Sequence, residues 1–236
     1  MVKVVLFDLD DTLISERDYI QSGYYYVSNL ISHKHHQTAR EINLLLNELF
    51  IESPKHVFNR LFDHFGIEYT RSTIMELVEA YRNHKPMVTF FDDVLPCLEI
   101  LKDQHIQTGV ITDGYAEGQC QKLRAVNGFD HFNEIIITDQ LGRDYWKPHA
   151  RAYEMMKDLF NVKYSEMVYV GDNVSKDFVT PNKLGMKTVQ INRENGIYST
   201  STISYEKEFY AQHSINSLYE FLNLFCFIEY HPVGDG

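Results

Sequence analysis

FDLDDT, residues 7–12, ends the apolar run Val4-Val5-Leu6 with Phe7 and then sets three acids, Asp8, Asp10 and Asp11, almost side by side. A short β-branched run followed by turn residues reads as a buried strand. Crowded like charges raise one another's free energy, and more so at the edge of a core. Either solvent or a cation has to compensate for them.

The strand pattern of residues 2–7 returns at QTGVIT (107–112), EIIIT (134–138), MVYV (167–170) and KTVQI (187–191). Helical spacing lies between and after these runs. Leu95, Leu98 and Leu101 mark one helix, Leu123 and Val126 another, and Tyr153, Met156 and Phe160 a third. A last helix carries Leu218, Phe221, Leu222 and Phe225. Strands alternating with helices predict an α/β fold whose parallel sheet is covered on both faces.

Residues 15–88 differ, because no strand pattern occurs there. Ile42, Leu45, Leu46 and Leu49 recur at i, i+3, i+4 and i+7, as do Phe58, Leu61, Phe62 and Phe65, and Ile74, Leu77, Val78 and Tyr81. Each set is one stripe of an amphipathic helix, and the stripes read as core. Thr38 with Glu41 predicts a capping box, and Ser53-Pro54 predicts a helix opening on Pro54. The chain is thus expected to consist of a core domain, 1–14 and 89–236, with a helical domain, 15–88, inserted after the first strand. Pro86 marks the return to the core. His33-Lys34-His35-His36 is expected to be a solvated turn between helices.

Among 236 residues, 22 are basic and 33 acidic, a formal charge of −11. That balance argues against nucleic acid or an anionic membrane as the main partner. An anionic substrate would need local positive charge, from a metal or a placed lysine. Cys97, Cys120 and Cys226 are odd in number and show no C-x-x-C spacing, which predicts reduced thiols and a cytoplasmic protein. The apolar start is too short for a signal peptide, and Phe221 to Ile228 is far short of the roughly 20 residues that a membrane span needs. Oligomeric state is not legible.

In open parallel sheets, ligands bind outside the carboxyl ends of the strands. The first strand runs into Asp8-x-Asp10, the second ends in Thr112-Asp113-Gly114, and MVYV runs into Gly171-Asp172-Asn173 with Asp177 beyond. Lys147-Pro148 follows the third strand and is expected to open a helix. Neighbouring strands lie about 4.8 Å apart, so these ends converge. FDLDDT, ITDG, WKP and GDNVSKD, in this order, resemble the four motifs of the haloacid dehalogenase-like superfamily, in its helix-capped branch. The wording around them is loosely similar to N-acylneuraminate-9-phosphatase and related small-metabolite phosphatases.

That resemblance implies a Rossmann-like, doubly wound sheet with an α-helical cap, and a Mg2+-dependent phosphatase acting on a small phosphate ester. Asp8 would attack phosphorus and form an aspartyl-phosphate. Asp10 would protonate the leaving oxygen and then deprotonate water. Thr112 and the amide of Asp113, at a helix start, would bind the phosphoryl group, the Asp113 carboxylate turning away. Lys147 would supply fixed positive charge. Asp8, the carbonyl of Asp10, and Asp172 would hold Mg2+, with Asp177 supporting them or holding Lys147. Arg17, Tyr115 and Trp146 adjoin the motifs and read as structural or solvent-facing. A sugar phosphate, such as a sialic-acid-type 9-phosphate, or a nucleoside monophosphate would suit the site. A phosphosugar mutase and a non-catalytic binding protein are the alternatives. A dehalogenase is disfavoured, because Asp10 stands where that branch resembles a non-acidic residue.

Overall fold

The structure, a computed structural model, describes residues 1–194, 196–197 and 204–227. The end of the expected core domain, 228–236, lies outside the described residues, as does Ile228 of the apolar tail. Six parallel strands form one sheet in the order β3-β2-β1-β4-β5-β6. They are β1 (Val4–Phe7), β2 (Gln107–Thr112), β3 (Glu134–Ile137), β4 (Met167–Gly171), β5 (Lys187–Ile191) and β6 (His213–Ile215). The first five are the expected strands. β6 is an addition, and the alternation rule misses it because only Ile215 of its three residues is buried.

β1 lies at the centre, and its four residues are fully buried. Side chains alternate across a strand, so it feeds two cores at once. Val5 and Phe7 join one with Val110, Val170, Leu101 and Phe221. Val4 and Leu6 join the other with Ile111, Tyr153, Met156 and Phe178. Phe7 is in register with Val110 of β2 and Val170 of β4. The chain leaves β1 for β2 on one side and later crosses to β4 on the other. The carboxyl end of β1 is therefore the point where strand order reverses.

Between β1 and β2 run α1 (Glu16–Ser32), α2 (Ala39–Glu52), α3 (Val57–Phe65), α4 (Arg71–Asn83) and α5 (Val94–Asp103). Ser15 caps α1, its hydroxyl accepting the amide of Asp18. The capping box of Thr38 and Glu41 opens α2 as expected. Pro54 does not open α3. That helix starts at Val57 after His56 in the left-handed region, where its apolar stripe begins, and Ser53 turns back to the amide of Lys55. The histidine run forms the turn between α1 and α2. Gly23 brings α1 against α4: a Cβ there would lie 2.3 Å from the Tyr81 ring. The Ser22 hydroxyl, bonded to His84 and to the amide of Met87, ties the chain leaving α4 back to α1.

The remaining helices cover the sheet: α6 (Ala116–Ala125), α7 (Gly128–His131), α8 (Arg151–Phe160), α9 (Val179–Leu184) and α10 (Leu218–Leu224). Lys147-Pro148 does not open α8. Two short 3-10 turns precede the dipeptide, and the helix begins at Arg151. One buried ion pair joins four distant loops. Arg193 meets both oxygens of Asp93, at 2.7 and 2.9 Å, and donates twice to the carbonyl of Thr12. Asp93 also accepts the amide of Leu218.

Asp93→Ala leaves the Arg193 charge buried and alone, which should cost about 3–5 kcal/mol. Urea unfolding should show that loss as a lower midpoint at constant m-value. Asp93→Leu combined with Arg193→Met should recover most of it. If the single variant unfolds at the parent midpoint, the pair does not hold these loops.

Candidate active site

The site begins one residue past β1. The amide of Asp8 donates to the carbonyl of Val170, which stitches this end to β4. Its Oδ1 accepts the amide of Leu9 at 2.8 Å and lies 2.9 Å from Lys147 Nζ. The Lys147 ammonium donates also to Asp177 Oδ1, at 2.8 Å, and to the Tyr169 hydroxyl, at 2.9 Å. The other Asp177 oxygen accepts the amide of Asn173. Gly171 makes room for this carboxylate, since a Cβ there would lie 2.6 Å from Asp177 Oδ2. Burial works against the charge on Lys147, but Asp177, Asp8 and Asp113 outweigh it and hold its pKa well above the usual lysine range.

One carboxylate oxygen from each of Asp8, Asp172 and Asp177 lies within 4.8 Å of the other two. Asp177 is already occupied by Lys147 and Asn173. The Asp172 carboxylate has neither a hydrogen bond nor an ion pair among the described residues. Burial, then Asp177 and Asp8, push it well above the usual carboxylate range. Burial raises Asp8 to about 6, against the pull of Lys147 and with a further push from Asp177. Hard oxygen donors that disfavour one another's charge fit a divalent cation, whose presence would relieve them.

Asp10 faces another way. Lys122 Nζ, on α6, meets both its oxygens at 2.7 and 2.8 Å, and Gln119 Nε2 adds a bond of 2.9 Å. The same amide nitrogen reaches Thr112 Oγ1 at 2.5 Å. Thr112 is fully buried, so its hydroxyl meets Gln119 in this arrangement. The Asp113 carboxylate accepts the Thr138 hydroxyl and the Lys147 amide and lies 3.3 Å from Lys176. Burial opposes its charge, but Lys147, Lys176 and Thr138 prevail and keep its pKa low. Asp113 does not start a helix, because α6 begins three residues later at Ala116.

The structure thus brings Asp8, Lys147, Asp172 and Asp177 together, with Asp113 beside them through Lys176. Asp11 is not part of the cluster. Its carboxylate accepts the amides of Glu16 and Ile197 and closes the loop after β1. Lys122, Gln119, Lys176 and Glu16 were not foreseen as site residues. Burial and then Asp10 push the Glu16 carboxyl up to about 7. Lys176 lies inside GDNVSKD, the signal that could have found it, whereas the i, i+3 spacing of Gln119 and Lys122 is that of any solvated helix face. Arg17 is exposed. Tyr115 is exposed and Trp146 half-buried, and each lines a cavity at the site.

This chain belongs to the haloacid dehalogenase-like hydrolases: the profile of that family matches residues 5–191. It is 31% identical to a glyceraldehyde 3-phosphate phosphatase of Pyrococcus furiosus, over 94% of this chain and 92% of that one. It is 28% identical to pyrophosphatase PpaX of Bacillus thuringiensis, over 80% and 83% of the two chains. The crystal structure of a HAD phosphatase from Thermococcus onnurineus superimposes with a TM-score of 0.61 at 26% identity, covering 95% of this chain and 98% of that one. These relatives place the chain among the phosphatases of the family. Among the described residues, no helix is long and apolar enough to cross a membrane.

Gly171→Ala should push Asp177 off Lys147 and lower the turnover of a phosphate ester roughly 100-fold, the scale of a misplaced catalytic group. Phosphate release checks this, with circular dichroism to verify that the sheet persists. Near-normal turnover would mean that Asp177 does not position Lys147.

Proposed function

We propose that this protein is a Mg2+-dependent phosphomonoesterase that works through an aspartyl-phosphate on Asp8, with a small phosphorylated metabolite as substrate. The observation that carries this reading is the buried contact of Asp8 with Lys147, flanked by the unpartnered carboxylate of Asp172. Lys147 neutralises part of the charge on Asp8 and fixes its direction, so that a carboxylate oxygen meets phosphorus in line with the leaving oxygen. As the Asp8 O–P bond forms, the bond from phosphorus to the alcohol oxygen breaks. Asp10 gives its proton to that oxygen. Asp10 then takes a proton from water, which attacks phosphorus, and the bond to Asp8 breaks to release phosphate.

Asp8, Asp172 and the Asp10 carbonyl are the residues that would hold Mg2+. When bound, it would offset the charge of the phosphoryl group and of the clustered carboxylates. Lys176, 4.0 Å from Asp8 and 3.3 Å from Asp113, adds positive charge on the same side. Thr112 and the Asp113 amide would bind phosphoryl oxygens once Gln119 yields the Thr112 hydroxyl. Lys122 and Gln119 orient Asp10, which in its protonated form exchanges one of these bonds for the leaving oxygen. The helices of 15–88 serve as a cap that excludes bulk water from this volume and opens to release product.

Asp8→Asn should abolish phosphate release while the chain stays folded, and near-normal turnover by this variant would rule out the scheme. Chelation by EDTA should stop turnover and added Mg2+ should restore it. With a hexose 1-phosphate as substrate, formation of the 6-phosphate without free phosphate would establish a mutase instead. Lys122→Met should lower kcat about 100-fold, within the range of general acid-base catalysis, with a smaller effect on KM. Lys122→Arg should restore part of it. An unchanged kcat in Lys122→Met would remove Lys122 from the mechanism.

A further inference from the structure

A second cavity, of about 500 Å3, opens beside the acidic one and shares Asp10, Glu16, Asp113 and Gly114 with it. Its far wall comes from the helical insert and is largely aromatic and aliphatic, with Tyr24, Phe50, Phe58, Ile74, Val78 and Tyr81. Its near wall is the start of α6, where Gly118 allows Tyr19 to approach: a Cβ would lie 3.1 Å from the Tyr19 hydroxyl. The rings pack on one another edgewise or tilted. Tyr24 lies 5.8 Å from Tyr81 and 6.3 Å from Phe58, and Tyr19 lies 5.6 Å from Tyr81. The hydroxyls of Tyr19, Tyr24 and Tyr81 have no hydrogen-bond partner among the described residues. Burial raises the pKa of all three, so they stay neutral.

Charge in this chamber is largely paired. Lys122 is committed to Asp10 and Lys176 to Asp113, and burial pushes the Glu16 carboxyl up to about 7. Arg82, stacked 3.3 Å over the Tyr115 ring, has no carboxylate partner among the described residues. The walls of the chamber, rather than its charge, therefore dominate selection there. Size also selects. A three-carbon polyol displaces roughly four waters of about 30 Å3 each and would leave most of the chamber wet. Apolar walls with a few polar handles bind ring systems that cover those walls.

We propose that the preferred substrate is the phosphate monoester of a ring-bearing alcohol, whose ring fills this chamber while tyrosine hydroxyls meet its few polar atoms. The inference rests on the phosphatase reading and narrows it. It parts company with the substrates in the names of the relatives, a triose phosphate and pyrophosphate.

The test offers the full chain with Mg2+ three esters: 2-phenylethyl phosphate, glycerol 3-phosphate and pyrophosphate. The two alcohols leave with similar ease, so the comparison reads binding. The ring ester should show a kcat/KM at least about tenfold above the other two. Val78→Trp and Ile74→Trp, which fill the chamber from separate positions, should lower that value about tenfold more for the ring ester than for glycerol 3-phosphate. A preference for either small substrate, or equal losses on both esters in both variants, overturns the proposal. Calorimetry with 2-phenylethanol reads the chamber without turnover. Binding with a negative heat-capacity change, lost in the filled variants, upholds the chamber's selection of a ring even if no ester is hydrolysed. In that case the phosphatase reading alone fails. Absence of binding together with absence of a ring preference overturns the inference while leaving hydrolysis of other esters intact.

Discussion

The arrangement at the carboxyl edge of the sheet turns on the ammonium of Lys147. It is almost wholly withdrawn from solvent and is held by Asp8, Asp177 and the hydroxyl of Tyr169. An unpaired charge in such a place would cost several kcal/mol or be lost by deprotonation. The surrounding carboxylates keep the proton on, and the lysine in turn fixes where those carboxylates point. Three chain segments after β1, β3 and β4 therefore have to close on one point. The sheet meets that demand through its register, with Phe7 beside both Val110 and Val170, so that the loops after these strands leave from one edge.

Much of this was legible in the chain. A parallel strand buried on both faces must be a short apolar run, and the first polar residue after it must sit at the edge of the sheet. Asp8, Thr112 and Asp172 could be placed by that rule alone. Lys147 and Asp177 needed the order of the motifs as well. The hold of Lys122 on Asp10 was not legible, because the residues are 112 positions apart and α6 has the polar pattern of any solvated helix face. Asp11 misled for the opposite reason. It shares the acidic run, but its left-handed backbone turns its carboxylate into the loop. β6 gave no signal because only Ile215 of its three residues is buried, and Pro54 misled because it lies in an exposed turn ahead of the helix.

The helices between β1 and β2 contribute a different kind of surface. They share one apolar cluster with the sheet, and beside the site they meet α6 and the loop before it through side chains laid over rings, such as Arg82 on Tyr115 and Lys122 under Tyr19. α4 has no fully buried residue, and its stripe of Ile74, Leu77, Val78 and Tyr81 is only partly covered. Both faces of the sheet, and α1 to α3 as well, bury side chains fully, unlike α4. A rigid platform of charges thus meets a wall of aromatic rings whose covering is incomplete.

The knot of Arg193 with Asp93 has a consequence for the order in which the molecule assembles. Thr12 lies just beyond the acidic run, yet the guanidinium that receives its carbonyl comes 181 residues later. A nascent chain emerging from the ribosome exposes the loop after β1 long before its fastener is made. Domains form as units during synthesis, and contacts of such long span are late events. The pocket edge is thus fastened only after residue 193 has been made, leaving the buried carboxylates of the early segment without their final enclosure until then.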